Sequence, residues 1–552
     1  MTTAPATAAT VSTAVAEVAA ERSGAIFGLM GSGNVHVVGH LTATGAVYVR
    51  MRHEAGTVAA AQAHHLASGR IATATTTYGA GFTNTLTALA EARLARVPLV
   101  LIAGEGPSTG LRWWDVDQEA LAGALDVPVV RVHPDGAAAT ARYAYDLAEA
   151  DRTPVVLFLP HDLATEPDTA TRVLPPIERP AAPQVAREQV AEVAEVAALL
   201  RSAERPLLLL GRGVRLAGAG DLLRRVGDRL GALLATSAMA AGLPDSPWDL
   251  GIAGGFSSPR SWELITAADV VLAVGIGLND FQDRRGRLLA GAREVIQVDL
   301  RPVATHGRVT RYLRADAAAF AAALLAELHD DVGAPARVRV TWRDRAPHSA
   351  EDLRADLSGL AEHAEDGRLD PRLVARRLAE LLPPDRALVH DGGQFVGWMP
   401  QYARVGDPSE LILVGTAFQS IGLGSSSAVG AAHARPDRTT VLVTGDGGGL
   451  MALPDLVTFL TEARSGVVVV FNDAAYGAEL HQYAVQGVHS AGMLLEEVDF
   501  AALTRPFGAE GHRVTRLADL DVLADWVQAG ARGVLVLDVA VTRTVAADFL
   551  RH

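Results

Sequence analysis

Residues 441–473 read VLVTGDGGGLMALPDLVTFLTEARSGVVVVFND, and their types and spacing suit the holding of a divalent cation against a diphosphate. Val441–Thr444 is a short β-branched run of strand type. Gly445-Asp446-Gly447-Gly448-Gly449 follows at once and reads as a turn too rich in glycine for an ordinary helix start. Leu450–Ala463 has a helical pattern, and Val467–Phe471 is a second buried strand ending on Asn472-Asp473. In a strand–helix–strand unit both strands end on the same edge of the sheet. Asp446 and Asp473, 27 positions apart, are therefore expected to meet there. Glycine lets backbone N–H groups approach phosphate oxygens, and a helix N-terminus favours negative charge. Two carboxylates with phosphate oxygens form a hard-oxygen set suited to Mg2+ or Ca2+. The competing reading, a surface turn with Asp473 as a loop cap, leaves the acid at the end of the second apolar strand unexplained.

Other chemistries are excluded by what the chain lacks. It has no lysine, so all 49 basic residues are arginine, and neither a Walker-type phosphate loop nor a lysine Schiff base can be built. It has no cysteine, which removes disulfides, thiol nucleophiles and cysteine-based zinc sites and fits a cytoplasmic location. A net charge of −14 argues against nucleic acid as a partner. No uncharged apolar stretch is long enough to span a membrane. The first dozen residues, MTTAPATAATVS, read as a disordered tail and not as a signal peptide. A nucleotide-binding oxidoreductase would need GxGxxG after a strand, and Gly31-Ser32-Gly33 lacks the third glycine.

Elements that could position these residues run the length of the chain. At 552 residues, 49% hydrophobic and 20% charged, there is room for roughly three or four domains. In residues 13–165, strand-like Ala25–Leu29, Ile71–Thr77, Pro98–Ala103 and Pro154–Leu159 alternate with helix-like Ala55–Ala67 and Phe82–Ala95. Residues 186–330 repeat the alternation with strands at Pro206–Leu210, Val270–Gly275 and Val295–Leu300. Residues 366–552 form a third block that holds the glycine-rich site. Proline-rich 160–183 and charged 331–365 read as linkers. The expected fold class is α/β, with three doubly wound parallel-sheet domains.

With its motifs, this layout resembles the thiamine-diphosphate-dependent decarboxylase and carboligase family, to which acetolactate synthase and benzaldehyde lyase belong. The likeness covers roughly residues 13–545. Arg52-His53-Glu54 followed by Gly79-Ala80-Gly81-Phe82-Thr83-Asn84 is similar to the family's first-block signature. Gly393-Gln394-Phe395 with Trp398, and Ser420-Ile421-Gly422, resemble its third-block segments. The resemblance implies that the first block, with Thr77 and Asn84, binds the cofactor's aminopyrimidine. It implies that Glu54 shares a proton with the pyrimidine nitrogen, which favours the imino tautomer opposite, and that this imino group removes the thiazolium proton. A buried carboxyl suits that task through a raised pKa. Ile421 would wedge between the cofactor's rings. Gly393, Gln394, Phe395, Ser420, Gly445, Gly447, Gly448, Tyr476 and Gly477 would be further cofactor-binding residues of the third block. Asp446, Asp473 and the backbone carbonyl of Ala475 would bind Mg2+. The family's second ligand is usually asparagine, so Asp473 adds a charge; with a one-residue slip Asn472 takes its place.

The segment from Tyr476 to His481, together with Asp117-Gln118, looks most like benzaldehyde lyase. The resemblance puts Met30, Gln118, Tyr476 and Glu479 at the thiazolium carbon, with Gln118 as hydrogen-bond donor and Glu479 as proton-transfer group. Glu479 could equally start a helix and face solvent. His36 and His481 are loop or helix-edge candidates only. Met30 stands where benzaldehyde lyase has histidine, and Phe281 stands where acetolactate synthases have arginine. The implied activity is cleavage or formation of a C–C bond beside a carbonyl, with a 2-keto acid, aldehyde or acyloin as substrate. Simple 2-keto acid decarboxylation and a catalytically silent binding subunit are the alternatives. The cofactors implied are thiamine diphosphate and Mg2+; a lone Gly211-Arg212-Gly213 argues weakly for FAD, and the reading goes against it. A homodimer or homotetramer with active sites at the subunit interface completes the expectation.

Overall fold

The computed structural model describes residues 9–178, 189–328, 341–346 and 353–550. Most of the N-terminal tail, residues 179–188 of the first linker with the start of the second block, and residues 329–340 and 347–352 lie outside the described residues.

Among the described residues are three six-stranded sheets with parallel pairing. The first contains β1 (Ile26–Gly28), β2 (Tyr48–Arg50), β3 (Thr73–Thr76), β4 (Leu99–Glu105), β5 (Val129–Arg131) and β6 (Pro154–Pro160), in the order β2-β1-β3-β4-β6-β5. The second contains β7 (Pro206–Leu210), β8 (Leu233–Thr236), β9 (Asp249–Ile252), β10 (Val270–Val274), β11 (Glu294–Asp299) and β12 (Arg311–Arg314). Its order is β12-β11-β10-β7-β8-β9. The third contains β13 (Arg386–His390), β14 (Leu411–Leu413), β15 (Thr439–Gly445), β16 (Ser465–Asn472), β17 (Glu510–Val514) and β18 (Gly533–Ala540), in the order β14-β13-β15-β16-β18-β17. The first and third sheets thus share one topology.

Burial on both faces explains why the strands read as unbroken apolar runs. In β7, Leu208 and Leu210 pack with Val270, Leu272 and Val274, while Leu207 and Leu209 pack on the opposite face with Val271 and Ala273. The strand order reverses between β1 and β3 in the first sheet and between β13 and β15 in the third. Ligands of doubly wound sheets bind in the crevice outside such reversals, at the carboxyl ends of the strands.

The chain condenses into two compact units. One holds the first sheet with residues 381–396 and 412–543 of the third block; the other holds the second sheet with residues 397–411 and 544–552. Within the former unit, helix Glu54–Ser68 meets helix Gly424–Ala434. Both are rich in alanine, serine and glycine, so their backbones can come close. A Cβ on Gly430 would sit 2.0 Å from the Ala60 carbonyl oxygen, a backbone atom that cannot swing away. Gly430→Ala is expected to destabilise this unit by about 1–3 kcal/mol, read as a lower denaturant midpoint at constant m-value. An unchanged midpoint would mean that the helices are not in this contact.

Candidate active site

In the third sheet the crevice is built from loops that follow β13, β15 and β16. Parallel pairing of β15 with β16 sets Gly445 beside Phe471, so the residues after each strand emerge together. Asp446 and Asp473 are both buried and close enough to interact electrostatically. Burial first, and then the charge of Asp473, push the Asp446 carboxyl up to about 7. Asp473 Oδ2 accepts from Gln394 Nε2 at 2.8 Å, and its Oδ1 accepts from the Ala475 N–H at 3.2 Å. Asp446 Oδ2 and Gln394 Oε1 are buried and have no hydrogen-bond partner among the described residues. Ala474 lies at φ +51°, a strained conformation for alanine, between Asp473 and Ala475.

The glycines here are not a turn: Gly445 caps helix Asp446–Met451, and helix Leu453–Glu462 follows. The sequence suggested otherwise because glycine is a poor helix former. Packing overrides propensity: a Cβ would meet the Tyr476 ring at Gly447, Asp391 at Gly448 and the Phe500 ring at Gly449. Gly477 is hemmed in likewise, with a Cβ 2.2 Å from Gln394 Nε2 and 2.8 Å from Asp473 Oδ2. Phe395 lies against Gly393 and Gly445 and stacks on Phe471 with ring centroids 6.3 Å apart.

A second cluster lies at the reversal of the first sheet. Glu54 opens helix Glu54–Ser68 and accepts from Asn84 Nδ2 at 3.0 Å. It is half-buried in the single chain, not enclosed as the proton-sharing role led us to expect, because it sits at the rim where the first helical turn leaves the sheet. Thr77 Oγ1 accepts from the Gly33 N–H at 2.9 Å. Gln118 is buried with both ends of its amide engaged: Oε1 accepts from the Gly79 N–H at 2.6 Å, and Nε2 donates to the Gly104 carbonyl at 2.9 Å. One Nε2 hydrogen is left for another acceptor. Met30 is exposed, and Glu479 stands exposed on the first turn of helix Gly477–Tyr483. His36 is exposed and His481 half-buried.

The amino-acid sequence matches three descriptions of one family, in chain order. Residues 9–128 match the thiamine pyrophosphate enzyme N-terminal TPP binding domain, 193–324 its central domain and 391–539 its C-terminal TPP binding domain. The chain belongs to the thiamine pyrophosphate enzymes. It is 29% identical to the "Probable 2-ketoarginine decarboxylase" of Pseudomonas aeruginosa, over 92% of this chain and 89% of that protein. It is 27% identical to the acetolactate synthase isozyme 2 large subunit of Escherichia coli, over 91% of this chain and 90% of the other. The "Probable acetolactate synthase large subunit" of Methanocaldococcus jannaschii is 26% identical, over 89% and 84%.

As a thiamine pyrophosphate enzyme the chain must hold a diphosphate, and the third-sheet crevice fits that group. It offers glycine backbone where side chains would block approach, and the unpartnered Asp446 and Gln394 oxygens, both acceptors, suit a cation that accompanies the anion and not the anion itself. Among the described residues no three His, Cys, Asp or Glu side chains cluster as a self-sufficient metal site. Two carboxylates alone leave a cation short of ligands, as a site completed by phosphate and backbone oxygens would be.

Three acids escaped the sequence reading. Asp391 is fully buried; it accepts from the N–H groups of Gly392 at 2.8 Å and Gly422 at 2.9 Å and from Thr444 Oγ1 at 3.3 Å. Burial raises its carboxyl above the usual range. The signal was present, since Asp391 ends an apolar strand just as Asp446 does. Asp455 accepts from the Arg52 N–H at 3.0 Å and so secures the residues before Glu54; burial lifts it to about 6. Glu91, fully buried, reaches residues 417 and 418 from the first block. No local pattern announces the last two.

Proposed function

We propose that the protein decarboxylates a 2-keto acid and passes the remaining acyl fragment either to a proton or to an aldehyde or second keto acid. The reading is carried by one observation: Asp446 and Asp473 come together at the carboxyl ends of β15 and β16, next to the strand reversal, with an unpartnered carboxylate oxygen between glycine walls. The two kinds of relative support the substrate class, for 2-ketoarginine and the acetolactate synthases named above both point to keto-acid chemistry.

Bound thiamine diphosphate supplies a thiazolium that takes up the electron pair freed beside the carbonyl. The chain's own residues prepare for that. Asp446, Asp473 and the Ala475 carbonyl hold Mg2+, which offsets the repulsion between carboxylates and diphosphate. Gln394, tied to Asp473, and the first turn of helix Asp446–Met451 receive the phosphate oxygens. Glu54, fixed by Asn84, shares the pyrimidine proton. Ser420 and Ile421 stand on the turn anchored by Asp391 at Gly422. Gln118 offers its remaining amide hydrogen to an oxygen that gains negative charge. Glu479 serves proton transfer only where a partner or substrate covers it.

Glu54, half-buried in the single chain, leaves room for a second subunit, which supports a homodimer or dimer of dimers whose subunits complete one another's sites. No flavin is part of this proposal. At the reversal of the second sheet, Gly211 packs on Gly275, where a Cβ would lie 2.1 Å from the carbonyl oxygen, so the glycine there is accounted for by backbone contact. Among the described residues no helix is long and apolar enough to cross a membrane. A cytoplasmic location remains the proposal.

The test is a screen of 2-keto acids with added thiamine diphosphate and Mg2+, with and without aldehyde, followed by product analysis. Cofactor-dependent CO2 release is the expected result. Release that ignores the aldehyde would make the enzyme a plain decarboxylase. No turnover of any keto acid by a chain that binds the cofactor would overturn the proposal in favour of a binding subunit.

A further inference from the structure

Residues 414–422 run from β14 toward helix Gly424–Ala434 and carry Ile421. This loop should be a poor holder of anything. Residues 416–419 are exposed, and Phe418 and Ile421 are 46% and 39% exposed. Three residues take the left-handed region: Gly415 at φ +105°, Gln419 at +58° and Gly422 at +82°. For Gln419 that conformation costs energy, which some other contact must offset. The loop closes on itself through the Ser420 N–H to the Gly415 carbonyl at 2.9 Å.

Two buried carboxylates grip it from below. Asp391 takes the Gly422 N–H, as described. Glu91 belongs to helix Leu86–Leu94 of the first block, more than three hundred positions away in sequence. Its Oε1 accepts from the Ala417 N–H at 3.3 Å and its Oε2 from the Phe418 N–H at 2.6 Å. Glu91 is 0% exposed and has no ion-pair partner among the described residues. Burying a carboxylate without a cation is expensive, and a leucine or glutamine would fill the same space at lower cost. What neither could do is accept two neighbouring backbone N–H groups, one on each oxygen.

We propose that Glu91 is a positioning residue, which through the Ala417 and Phe418 amides fixes the 415–422 loop and thereby the Ile421 side chain. This rests on the reading of Ile421 as the residue that bends the cofactor. The link also has a direction. Helix Leu86–Leu94 packs beside helix Glu54–Ser68, so a single carboxylate ties the block that carries Glu54 to the loop that carries Ile421.

The test uses Glu91→Gln, in which one of the two N–H groups must face an amide NH2. In the cofactor-free protein, deuterium exchange followed by mass spectrometry should show amides 417 and 418 protected in the wild type and exposed in the variant. Fast exchange of both amides in the wild type overturns the proposal whether or not the variant folds. With cofactor bound, the variant should keep most of its affinity for thiamine diphosphate, because the diphosphate crevice is untouched. It should slow exchange of the thiazolium C2 proton roughly tenfold to a hundredfold, since misplacement by about an ångström costs that order. Wild-type C2 exchange, or a parallel loss of affinity and exchange, would reduce Glu91 to a structural group. A wild type that binds no thiamine diphosphate would sink the functional reading instead, and the amide exchange would still decide whether Glu91 holds the loop.

Discussion

Glu54→Gln is expected to leave the fold intact and to slow C2 proton exchange of bound thiamine diphosphate by about a hundredfold or more. Glutamine has nearly the shape of glutamate, and its Oε1 can still accept from Asn84 Nδ2, so the 3.0 Å contact can persist. The helix that Glu54 opens is buried along most of its length and held by Asp455 at Arg52, so one polar change at its first residue should cost little stability. What glutamine cannot do is share a proton with a ring nitrogen. The variant should therefore retain cofactor affinity within about an order of magnitude while losing the exchange rate. Quenched-flow exchange with the C2 signal read by NMR separates the two quantities. Wild-type exchange in Glu54→Gln would remove this residue from proton transfer and leave Asn84 as its only reason to be there.

How far such a residue could be read from the sequence depends on how local its signal is. Asp446 and Asp473 were legible because each follows an apolar strand, and parallel strands end on one edge. That argument needs no tertiary detail, and the pairing of β15 with β16 bears out its geometric half. Helix Glu54–Ser68 was legible within a residue or two. Strands Tyr48–Arg50 and Val129–Arg131 were not, since a three-residue edge strand has too short a pattern to stand out. Helix Asp446–Met451 was misread because its glycines are chosen by neighbours, Tyr476, Asp391 and Phe500, which approach from elsewhere in the chain. The expected helix Phe82–Ala95 is two pieces, Ala80–Thr83 and Leu86–Leu94, with Asn84 in the break where it meets Glu54. Glu91 looks like any acid on an alanine-rich helix; its burial is decided by a loop that the sequence places in another block.

Asp446→Ala is expected to weaken thiamine diphosphate binding by at least about a hundredfold, and exhaustive chelation should do the same to the wild type. One oxygen of the Asp446 carboxylate is left without a partner among the described residues, open to a cation, while the backbone N–H groups of Gly447 and Ala474 also reach the carboxylate. The pH dependence follows from its environment. Burial and the neighbouring Asp473 hold the Asp446 carboxyl at about 7 in the metal-free chain. Below that pH a cation must displace a proton to bind; above it the carboxylate is already ionised. Apparent Mg2+ affinity should thus fall by up to about tenfold per pH unit as pH drops below 7, and level off above it. Asp473→Asn removes the second of the two causes, so it should move the break in that profile to lower pH while weakening binding on the alkaline side, where one charge has gone. Calorimetric titration of Mg2+ with thiamine diphosphate across pH 5.5 to 8.5, about 1.5 units to either side of the break, reads both effects. If the metal-free Asp446→Ala protein binds the cofactor as tightly as the magnesium-loaded wild type, the cation site lies elsewhere, and the crevice holds the diphosphate by backbone and glutamine alone.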